Sequence, residues 1–480
     1  MKILLVLPAA DHLRVQTPGV QPPKRAMLRF SLLPLTVVAA LTPPQHQVSI
    51  CDENVEAIDW GCDADVVGIT FMTALAPRAY QIAAVFRAKG KIVVAGGYHP
   101  TLCHDEAAKH FDAVVVGEAE GNWQQLLADI EAGKLQRVYR LPQAADVTTT
   151  PVPRRDLTAR TARHYVTTNA VQTGRGCPHA CRYCSVTAFH RRSHRNRPLE
   201  NVLEEVRQIP ARHFMFVDDN IIADPDYARQ LFQGLIPMGK RWATQCSLKI
   251  ADDPQLLRLA YAAGCRGLFI GIETLDERNL AAMDKGFNDS RRYAQRLAAI
   301  RQQGILIELS VMVGMDNDDV SVFARTLHFL QAVNAEALQL NILTPLPGTP
   351  LFQDFQRQGR ITDYDWGHYD FRHVVIRPAR MTAAELQDGA DWLYRQFYRL
   401  DRIVLRTLRS LLRLGPLVAY IIWRLNMTYR YDNIREGIIG HDPADVGYAG
   451  RGHVQQRSGT ESSAKPEIRN QKPESNLKPE

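Results

Sequence analysis

The chain has 480 residues, of which 45% are apolar and 23% are charged, proportions that exclude a mostly disordered, fibrous or collagen-like protein. This length exceeds what one hydrophobic core usually supports, so we expect two or three domains. The net charge of +7 is too small, averaged over the chain, to indicate nucleic-acid binding.

The first 135 residues alternate short apolar runs with helical patterns, which is typical of parallel βαβ units. Because the strand runs are continuously apolar, both faces of the sheet should be covered by helices. We therefore predict an α/β, doubly wound (Rossmann-like) domain over residues 1–140, with its ligand crevice beyond the carboxyl ends of the strands. The predicted strands are 2–7, 47–51, 65–70, 91–95 and 113–116, and the clearest helices are 76–89 and 122–131.

A linker is predicted over residues 141–163, which carry three prolines and a threonine run. A second alternating series follows and predicts a partial (β/α)6 barrel over residues 164–350, with its chemistry at the carboxyl ends of the strands. Its predicted strands are 165–172, 213–217, 241–247, 267–272, 305–313 and 337–343, and its helices are 199–208, 226–234, 254–263, 291–303 and 320–334.

Three of the eight cysteines lie close together in the segment GRGCPHACRYC, directly after the first predicted barrel strand. Eight cysteines are too few for a disulfide scaffold in so long a chain, so a reducing compartment and a metal centre are expected. Cys177, Cys181 and Cys184 could hold three irons of a four-iron cluster and leave the fourth iron open. A structural zinc site normally has four protein ligands, and His179 or His190 could supply the fourth.

This segment, with the aromatic Tyr183 before its third cysteine, resembles the signature of the radical S-adenosylmethionine (SAM) superfamily. The resemblance covers about residues 165–346. It implies that the three cysteines bind a four-iron four-sulfur cluster, and that the amino and carboxylate groups of SAM chelate the open iron. One electron from the cluster then cleaves SAM to a 5′-deoxyadenosyl radical, which abstracts a hydrogen atom from the substrate.

Other positions match the family where barrel strands end. Asp218 and Asp219, in FVDDN, are candidates by this resemblance for contact with the methionine amino group of SAM; capping the next helix is the alternative. Ser247 ends the third strand, and Glu273 in GIET ends the fourth, where the resemblance implies contact with the ribose or methionine part of SAM. The segment LTPLPGTP, residues 343–350, resembles the turn that ends the barrel, and a structural role fits it equally well.

In the first domain, GGYHPT at 96–101 and VVVGEAE at 114–120 follow successive strands. Paired with a radical SAM domain, they resemble the cobalamin-binding domain of cobalamin-dependent radical enzymes. The resemblance implies that Gly96, Gly97, Tyr98 and His99 contact cobalamin. Glycines after a strand let the backbone approach a large ligand, although a tight turn would also explain them.

The loop after the first strand departs from the usual cobalamin motif, D-x-H-x-x-G, whose histidine coordinates cobalt. Here it reads PAADHLRVQTP, with Asp11 and His12 adjacent and the glycine missing. We expect His12 to be an ordinary loop histidine. Cobalamin bound without a protein histidine and a degenerate, cofactor-free domain both remain open.

A helical region is predicted over residues 351–449, with a basic amphipathic helix, and a disordered tail over 450–480, which is rich in Ser, Lys, Pro and Glu. The helix suits an anionic membrane surface; its packing on the barrel with solvated arginines is the alternative. Its basic face carries Arg399, Arg402, Arg406, Arg409 and Arg413, and its apolar face Leu400, Val404, Leu408, Leu411 and Leu412.

The resemblance thus implies cobalamin-dependent C-methylation of a lipid or other hydrophobic small molecule, as in the hopanoid methylases, with an electron donor such as flavodoxin or ferredoxin. No nucleic-acid partner is expected. The apolar run at residues 3–7 is too short for a signal peptide, and no run of about 18 apolar residues occurs, so we expect a cytoplasmic protein, with peripheral membrane contact as an option.

Three alternatives remain open. The first is radical C–C bond formation, rearrangement or oxidation without cobalamin. The second is a methylthiotransferase, whose second cluster would need Cys51, Cys62 and Cys103. The third is an iron–sulfur redox sensor or membrane-associated scaffold.

Overall fold

The computed structural model describes residues 1–10, 13–16 and 32–435, the last four as backbone only. Asp11, His12 and the predicted tail at 450–480 lie outside the described residues. The described chain forms two parallel sheets with helices on their faces, followed by a helical C-terminal region, which confirms the predicted α/β class.

The first sheet has six parallel strands in the order β2-β1-β3-β4-β5-β6, the doubly wound order in which a ligand crevice opens between β1 and β3. Its last strand, β6, was not predicted because it has only three residues. The strands are β1 (Lys2–Leu7), β2 (Gln47–Asp52), β3 (Val66–Thr70), β4 (Ile92–Gly96), β5 (Ala113–Val116) and β6 (Val138–Arg140). The helices are α1 (Leu33–Leu41), α2 (Ala76–Ala88), α3 (Tyr98–Leu102), α4 (His104–His110) and α5 (Asn122–Glu131).

Both faces of this sheet are buried, as its continuous apolar runs predict. In β3, Val67 and Ile69 pack in one core with Ile82 and Phe86 of α2, whereas Val66 packs in the opposite core. Successive strand side chains point to opposite faces, so each strand supplies two cores. Trp123 of α5 lies in the second core.

The second sheet also has six parallel strands, in the sequential order β7-β10-β11-β12-β13-β14. This is an open, partial barrel, and its outer helices bury a continuous apolar core. The strands are β7 (Ala170–Val171), β10 (His213–Phe216), β11 (Arg241–Gln245), β12 (Cys265–Glu273), β13 (Leu306–Val313) and β14 (Ala337–Ile342). The helices are α7 (Leu199–Gln208), α8 (Pro225–Leu235), α9 (Pro254–Ala262), α10 (Glu277–Ala282), α11 (Tyr293–Gln302) and α12 (Val322–Ala332).

The predicted first barrel strand, 165–172, is wrong in extent, because only β7 pairs with β10. Tyr165 instead donates a hydrogen bond to Asp52 of the first domain. Between β7 and α7 lies a hairpin of β8 (Gly174–Gly176) and β9 (His194–Asn196), with α6 (Ser185–Phe189) between them. This hairpin encloses the cysteine-rich segment.

The predicted linker, 141–163, is packed along the protein and contains short 3-10 turns. Arg155 pairs with Glu205 of α7, 2.5 Å away, and Glu205 also accepts from Arg197 at 2.7 Å. The backbone N–H of Arg154 donates to Thr36 of α1. The segment therefore joins the two sheets.

The C-terminal region contains α13 (Pro350–Arg357), α14 (Ala383–Phe397), α15 (Leu400–Leu414) and α16 (Pro416–Arg435). Tyr394 of α14 and Tyr398, which directly follows this helix, cover the open edge of the barrel. The hydroxyl of Tyr398 accepts from the N–H of Leu338 and donates to its carbonyl, and Tyr394 does the same for Leu340. The two hydroxyls thereby pair backbone groups of the edge strand β14 that would bond a further strand in a closed barrel.

Helix α15 is amphipathic as predicted, but it does not pack on the protein through its leucines, as the alternative with solvated arginines requires. Ile403 and Arg406 lie on the face that packs on the protein, and Arg406 donates to the carbonyl of Phe397 and to Asn426. The apolar face is exposed instead. No helix among the described residues is long and apolar enough to cross a membrane.

Candidate active site

The three clustered cysteines lie in the loop between β8 and α6, with Cys181 buried. The pKa of Cys181 is raised to about 11, chiefly by burial; Lys285 opposes the shift, and Cys184 and Cys177 contribute to it. None of the three is in a disulfide. Three neighbouring thiols on one loop are a donor set that fits an iron–sulfur cluster.

The close pairing of β8 with β9 requires glycine at position 176, directly before the first cysteine. Gly176 has φ +83°, and a Cβ there would lie 2.1 Å from the carbonyl oxygen of Ser193. Only glycine fits such a position, so the close pairing of β8 with β9 is built into the cysteine motif. Gly174 is similarly close to the carbonyl of Arg195, at 2.9 Å.

Asp218, after β10, contacts the segment that leads into the cysteine loop. Its carboxylate accepts hydrogen bonds from the N–H and hydroxyl of Thr173 and from the N–H of Gly174, at 2.7 to 3.2 Å. Burial raises the pKa of Asp218 to about 6, although these hydrogen bonds oppose the shift. The structure thus engages Asp218 with the chain's own backbone, and its predicted contact with SAM stays a prediction.

Asp219 lies on the cysteine side of the same strand end. Burial, and then the charge of Asp218, raise its pKa to about 6, while the N–H of Gly176 opposes the shift. Ser247, just after β11, donates its N–H to Asn220 at 2.9 Å. This bond links the segment after β10 to the segment after β11. Asn220 is therefore a positioning residue, and the sequence analysis did not predict it.

Glu273 ends β12 with a left-handed backbone, φ +62°, at an irregularity in the pairing with β13. Its carboxylate pairs with the ammonium of Lys285 at 2.5 Å, and Lys285 also reaches the hydroxyl of Tyr183, 3.2 Å away. This buried pair lies against the cysteine loop, because Glu273 raises and Lys285 lowers the pKa of Cys181. Lys285 was missed, since it follows α10 in an irregular segment where no periodicity marks it as buried.

The segments after β4 and β5 of the first domain lie against the cysteine loop and the adjoining helix α6. Tyr98 packs its ring against Phe189 of α6, with centroids 4.7 Å apart. Burial raises the pKa of Tyr98 well above its ordinary value, and the charges of Asp219 and Cys184 act in the same direction. Tyr98 therefore lies between the first domain and the cysteine loop.

His99 is fully buried in the first domain. Its Nε2 lies 3.0 Å from the hydroxyl of Tyr80, and its ring packs against Phe71 and Trp366. Trp366, from the segment after α13, donates its indole N–H to Glu106 at 2.8 Å. The C-terminal region thus holds the loop of His99 in place, and a contact between His99 and cobalamin stays a prediction.

The glycines of the same loops fit a large ligand. At Gly96 and Gly117 an added Cβ would meet no atom within 4 Å, whereas at Gly97 it would lie 2.8 Å from Thr70. Open space therefore lies at the carboxyl ends of β4 and β5, beside a turn that only glycine can make. This edge fits a cofactor that approaches the backbone closely, as the resemblance implies for cobalamin.

A buried ion-pair network joins the β8–β9 hairpin, which encloses the cysteine loop, to the segment VVVGEAE of the first domain. Arg175, of β8, donates to Glu118 at 2.9 Å and to Glu120 at 2.9 and 2.5 Å. Arg195, of β9, donates to both carboxylate oxygens of Glu118, at 2.9 and 3.0 Å. Burial alone would raise the pKa of Glu118, but the guanidinium groups of Arg195 and Arg175 hold it below its usual value.

The cysteines of the methylthiotransferase alternative do not converge. Cys51 is on the edge strand β2, and Cys103 follows α3, beyond the end of β4. Strands β1 and β3 lie between β2 and β4, whose axes are therefore about 14 Å apart. Cys62 is in the loop before β3. Among the described residues, no group of three His, Cys, Asp or Glu side chains could hold a single metal ion.

Comparisons with known proteins agree with this geometry. The family model for the radical SAM superfamily matches residues 171–330, and the model for the B12 binding domain matches residues 33–127. These matches confirm the order of the two domains and the predicted cofactors, namely an iron–sulfur cluster, SAM and cobalamin.

Individual relatives extend over most of the chain. The bacteriochlorophyllide d C-12(1)-methyltransferase of Chlorobaculum tepidum is 32% identical over 384 residues, covering 78% of this chain and 84% of the relative. The hopanoid C-2 methylase of Rhodopseudomonas palustris is 29% identical, covering 69% and 65%. The solved structure of the cobalamin-dependent SAM radical enzyme OxsB, with aqua-cobalamin and SAM bound, shares the fold with a TM-score of 0.62 at 13% identity, over 91% of this chain and 71% of that one.

Proposed function

Since this chain belongs to the cobalamin-dependent radical SAM methyltransferases, we propose that it methylates carbon in a large hydrophobic substrate. The observation that carries the proposal is the contact between the two cofactor-binding edges. Tyr98 packs on Phe189 beside the cysteine loop, and Arg175 joins the next loop of the first domain through Glu118. A methyl group on one edge would therefore lie near a substrate radical formed at the other.

The chain's own residues divide the work. Cys177, Cys181 and Cys184 would hold the cluster, which supplies the electron that cleaves SAM. Asp218 positions the segment before these cysteines, and the Glu273–Lys285 pair borders them on the other side. Packing of the two edges against each other would keep water away from the reacting carbon.

The substrate class draws support from two relatives. One acts on a bacteriochlorophyllide and the other on a hopanoid, and both compounds are large, carbon-rich ring systems. We propose a substrate of this hydrophobic kind, a flavodoxin or ferredoxin as electron donor, and a cytoplasmic enzyme with peripheral contact at the inner face of the membrane, where such a substrate would be reached.

The test uses anaerobically reconstituted holoenzyme and SAM with an isotopically labelled methyl group. Bacteriochlorophyllide pigments and total membrane lipid are supplied in separate reactions, and mass spectrometry detects a labelled product. We expect labelled product in one of them and its complete loss in Cys184→Ala. The matched control, Cys246→Ala, removes a buried barrel cysteine outside the loop and should retain activity.

Two results would contradict methyl transfer. One is release of 5′-deoxyadenosine without any labelled product from either pool. The other is a cobalt content near zero in protein reconstituted with saturating cobalamin, because the methyl donor would then have no site on the chain.

A further inference from the structure

The two helix ends that meet at the turn between α15 and α16 carry exposed apolar residues, which are neighbours at three- and four-residue steps on each helix. The two helices form an antiparallel hairpin joined at Gly415, since Arg406 of α15 bonds Asn426 of α16. Leu412, at the turn, is 89% exposed. Single exposed apolar residues are ordinary, but a contiguous group indicates a contact surface. We call this group the hairpin surface, and its members are Leu408, Leu411, Leu412, Leu417, Tyr420 and Ile421, all exposed.

The opposite side of α15 holds the helix in this orientation. Arg409 donates to Asn334, and Arg413 lies 3.5 Å from Glu336. Burial lowers the pKa of Arg406 to about 10, and its guanidinium stacks on the ring of Phe397 at 4.1 Å. Rolling the helix to hide its leucines would break these contacts, so the exposed apolar face is a stable feature of the fold.

Charge decides which partner suits this surface. The described side chains of α15 and α16 include six arginines and a single acidic group, Asp401, at the far end of α15 from the turn. Arg409 and Arg413 are exposed even though each also contacts the barrel, and Arg424 lies beside Tyr420, so a second copy of the chain docked on this hairpin would bring like charges together. An anionic lipid surface suits both the arginines and the apolar residues of the hairpin, because its headgroups attract the arginines and its acyl chains accept the leucines.

We propose that the hairpin surface inserts into the interface of an anionic membrane, with Tyr420 at headgroup depth. The inference rests on the membrane contact of the proposed function and names the residues that make it. The leucines provide the insertion, Arg406 is turned toward the protein and anchors the helix, and the exposed Arg409 and Arg413 supply positive charge for the headgroups. The hairpin docks at Asn334 and Glu336, at the amino end of β14, away from the strand ends that carry the cysteine loop.

Vesicle flotation of the reconstituted holoenzyme tests the proposal, with vesicles of phosphatidylglycerol and phosphatidylcholine in equal parts. Replacing Leu411, Leu412 and Leu417 by Ser should weaken binding at least about tenfold, because three buried leucine side chains are lost from the interface. The control, Ile236→Ser with Val320→Ser, removes exposed apolar residues elsewhere and should bind like the wild type. Both variants should release 5′-deoxyadenosine at the wild-type rate, which shows that they fold.

Three outcomes would overturn the inference: no flotation of the wild type, equal flotation of the triple variant, or a wild-type dimer that the triple variant makes monomeric. Failure of the proposed function is seen separately. If methyl transfer is absent from every substrate pool but the triple variant still loses vesicle binding, the membrane surface stands and the methylation proposal falls.

Discussion

The carboxylate of Asp218 orders the backbone that leads into the cysteine loop. It is buried, and it accepts three backbone or hydroxyl hydrogens from Thr173 and Gly174. A charged carboxylate in such a place is costly unless hydrogen-bonded, so the contacts with the approach to Cys177 are what make its burial tolerable. The residue acts on the cysteine loop through the backbone.

The raised pKa of Asp218 predicts a pH dependence of stability. The ordinary pKa of the aspartate side chain is 3.8, and the pKa of Asp218 in the folded protein is about 6. Between these two pH values the folded state keeps a proton that the unfolded state has lost. The free energy of unfolding therefore falls as pH rises through this window, by up to about 3 kcal/mol from this group. In Asp218→Asn the fall should be smaller, since the group no longer titrates and its charge no longer raises the pKa of Asp219.

Urea unfolding at a series of pH values between 4 and 7 measures this slope. The control is Asp105→Asn, whose side chain is 96% exposed and which should keep the wild-type slope. Equal slopes for wild type and Asp218→Asn would contradict the assignment.

At the scale of elements, the β8–β9 hairpin is joined to the loop after β5 by four buried or half-buried charges. Arg175 and Arg195 come from the hairpin, and Glu118 and Glu120 come from the first domain. Buried charges are stable only while every one is paired, so this network favours one relative placement of the two loops. Those loops are the ones that carry the cysteines and the glycines of the two candidate cofactor sites.

Arg175→Met should destabilise the protein by about 3–5 kcal/mol, because it leaves the buried Glu120 without a guanidinium partner. Urea unfolding at pH 7 measures the loss. Arg154→Met is the matched control, since it breaks an exposed pair with Asp156 and should cost no more than about 1 kcal/mol. A loss for Arg175→Met no larger than that of the control would argue against a network that needs every charge paired.

At the scale of the whole molecule, the C-terminal helices complete a barrel that would otherwise be open. Tyr394, on α14, and Tyr398, just after its end, are four residues apart, and their hydroxyls bond alternate residues of β14. A spacing of four residues on a helix matches two residues along a strand at nearly the same rise, about 6 Å and about 7 Å. The helix thus protects an edge that could pair with another chain.

Tyr398→Phe should cost about 1–3 kcal/mol of stability, because the N–H and carbonyl of Leu338 lose their partner while the ring packing is kept. Hydrogen exchange should show the amide of Leu338 exchanging faster than in the wild type. Tyr364→Phe alters an exposed tyrosine and should change neither quantity. Unchanged protection at Leu338 would mean that the hydroxyl does not cap this edge.

The periodic elements could be predicted because their signal is local. The helices over 122–131 and 199–208 have the predicted bounds, and most barrel strands differ from theirs by one or two residues. The spacing of Cys177, Cys181 and Cys184 likewise lies within one loop. The prediction of β7 was too long because, before Ala170, only the carbonyl of Asn169 bonds β10, where it accepts from the N–H of Met215.

The sequence by itself determined the two alternating series, their order, the cysteine triad and the two faces of α15, since each follows from residues a few positions apart. Tertiary structure alone decided that Lys285 pairs with Glu273, that Arg175 meets Glu118 and Glu120, and that Arg406 of α15 turns inward. The physical reason is that periodicity separates the faces of an element, whereas the choice of which face is buried depends on partners distant in the chain.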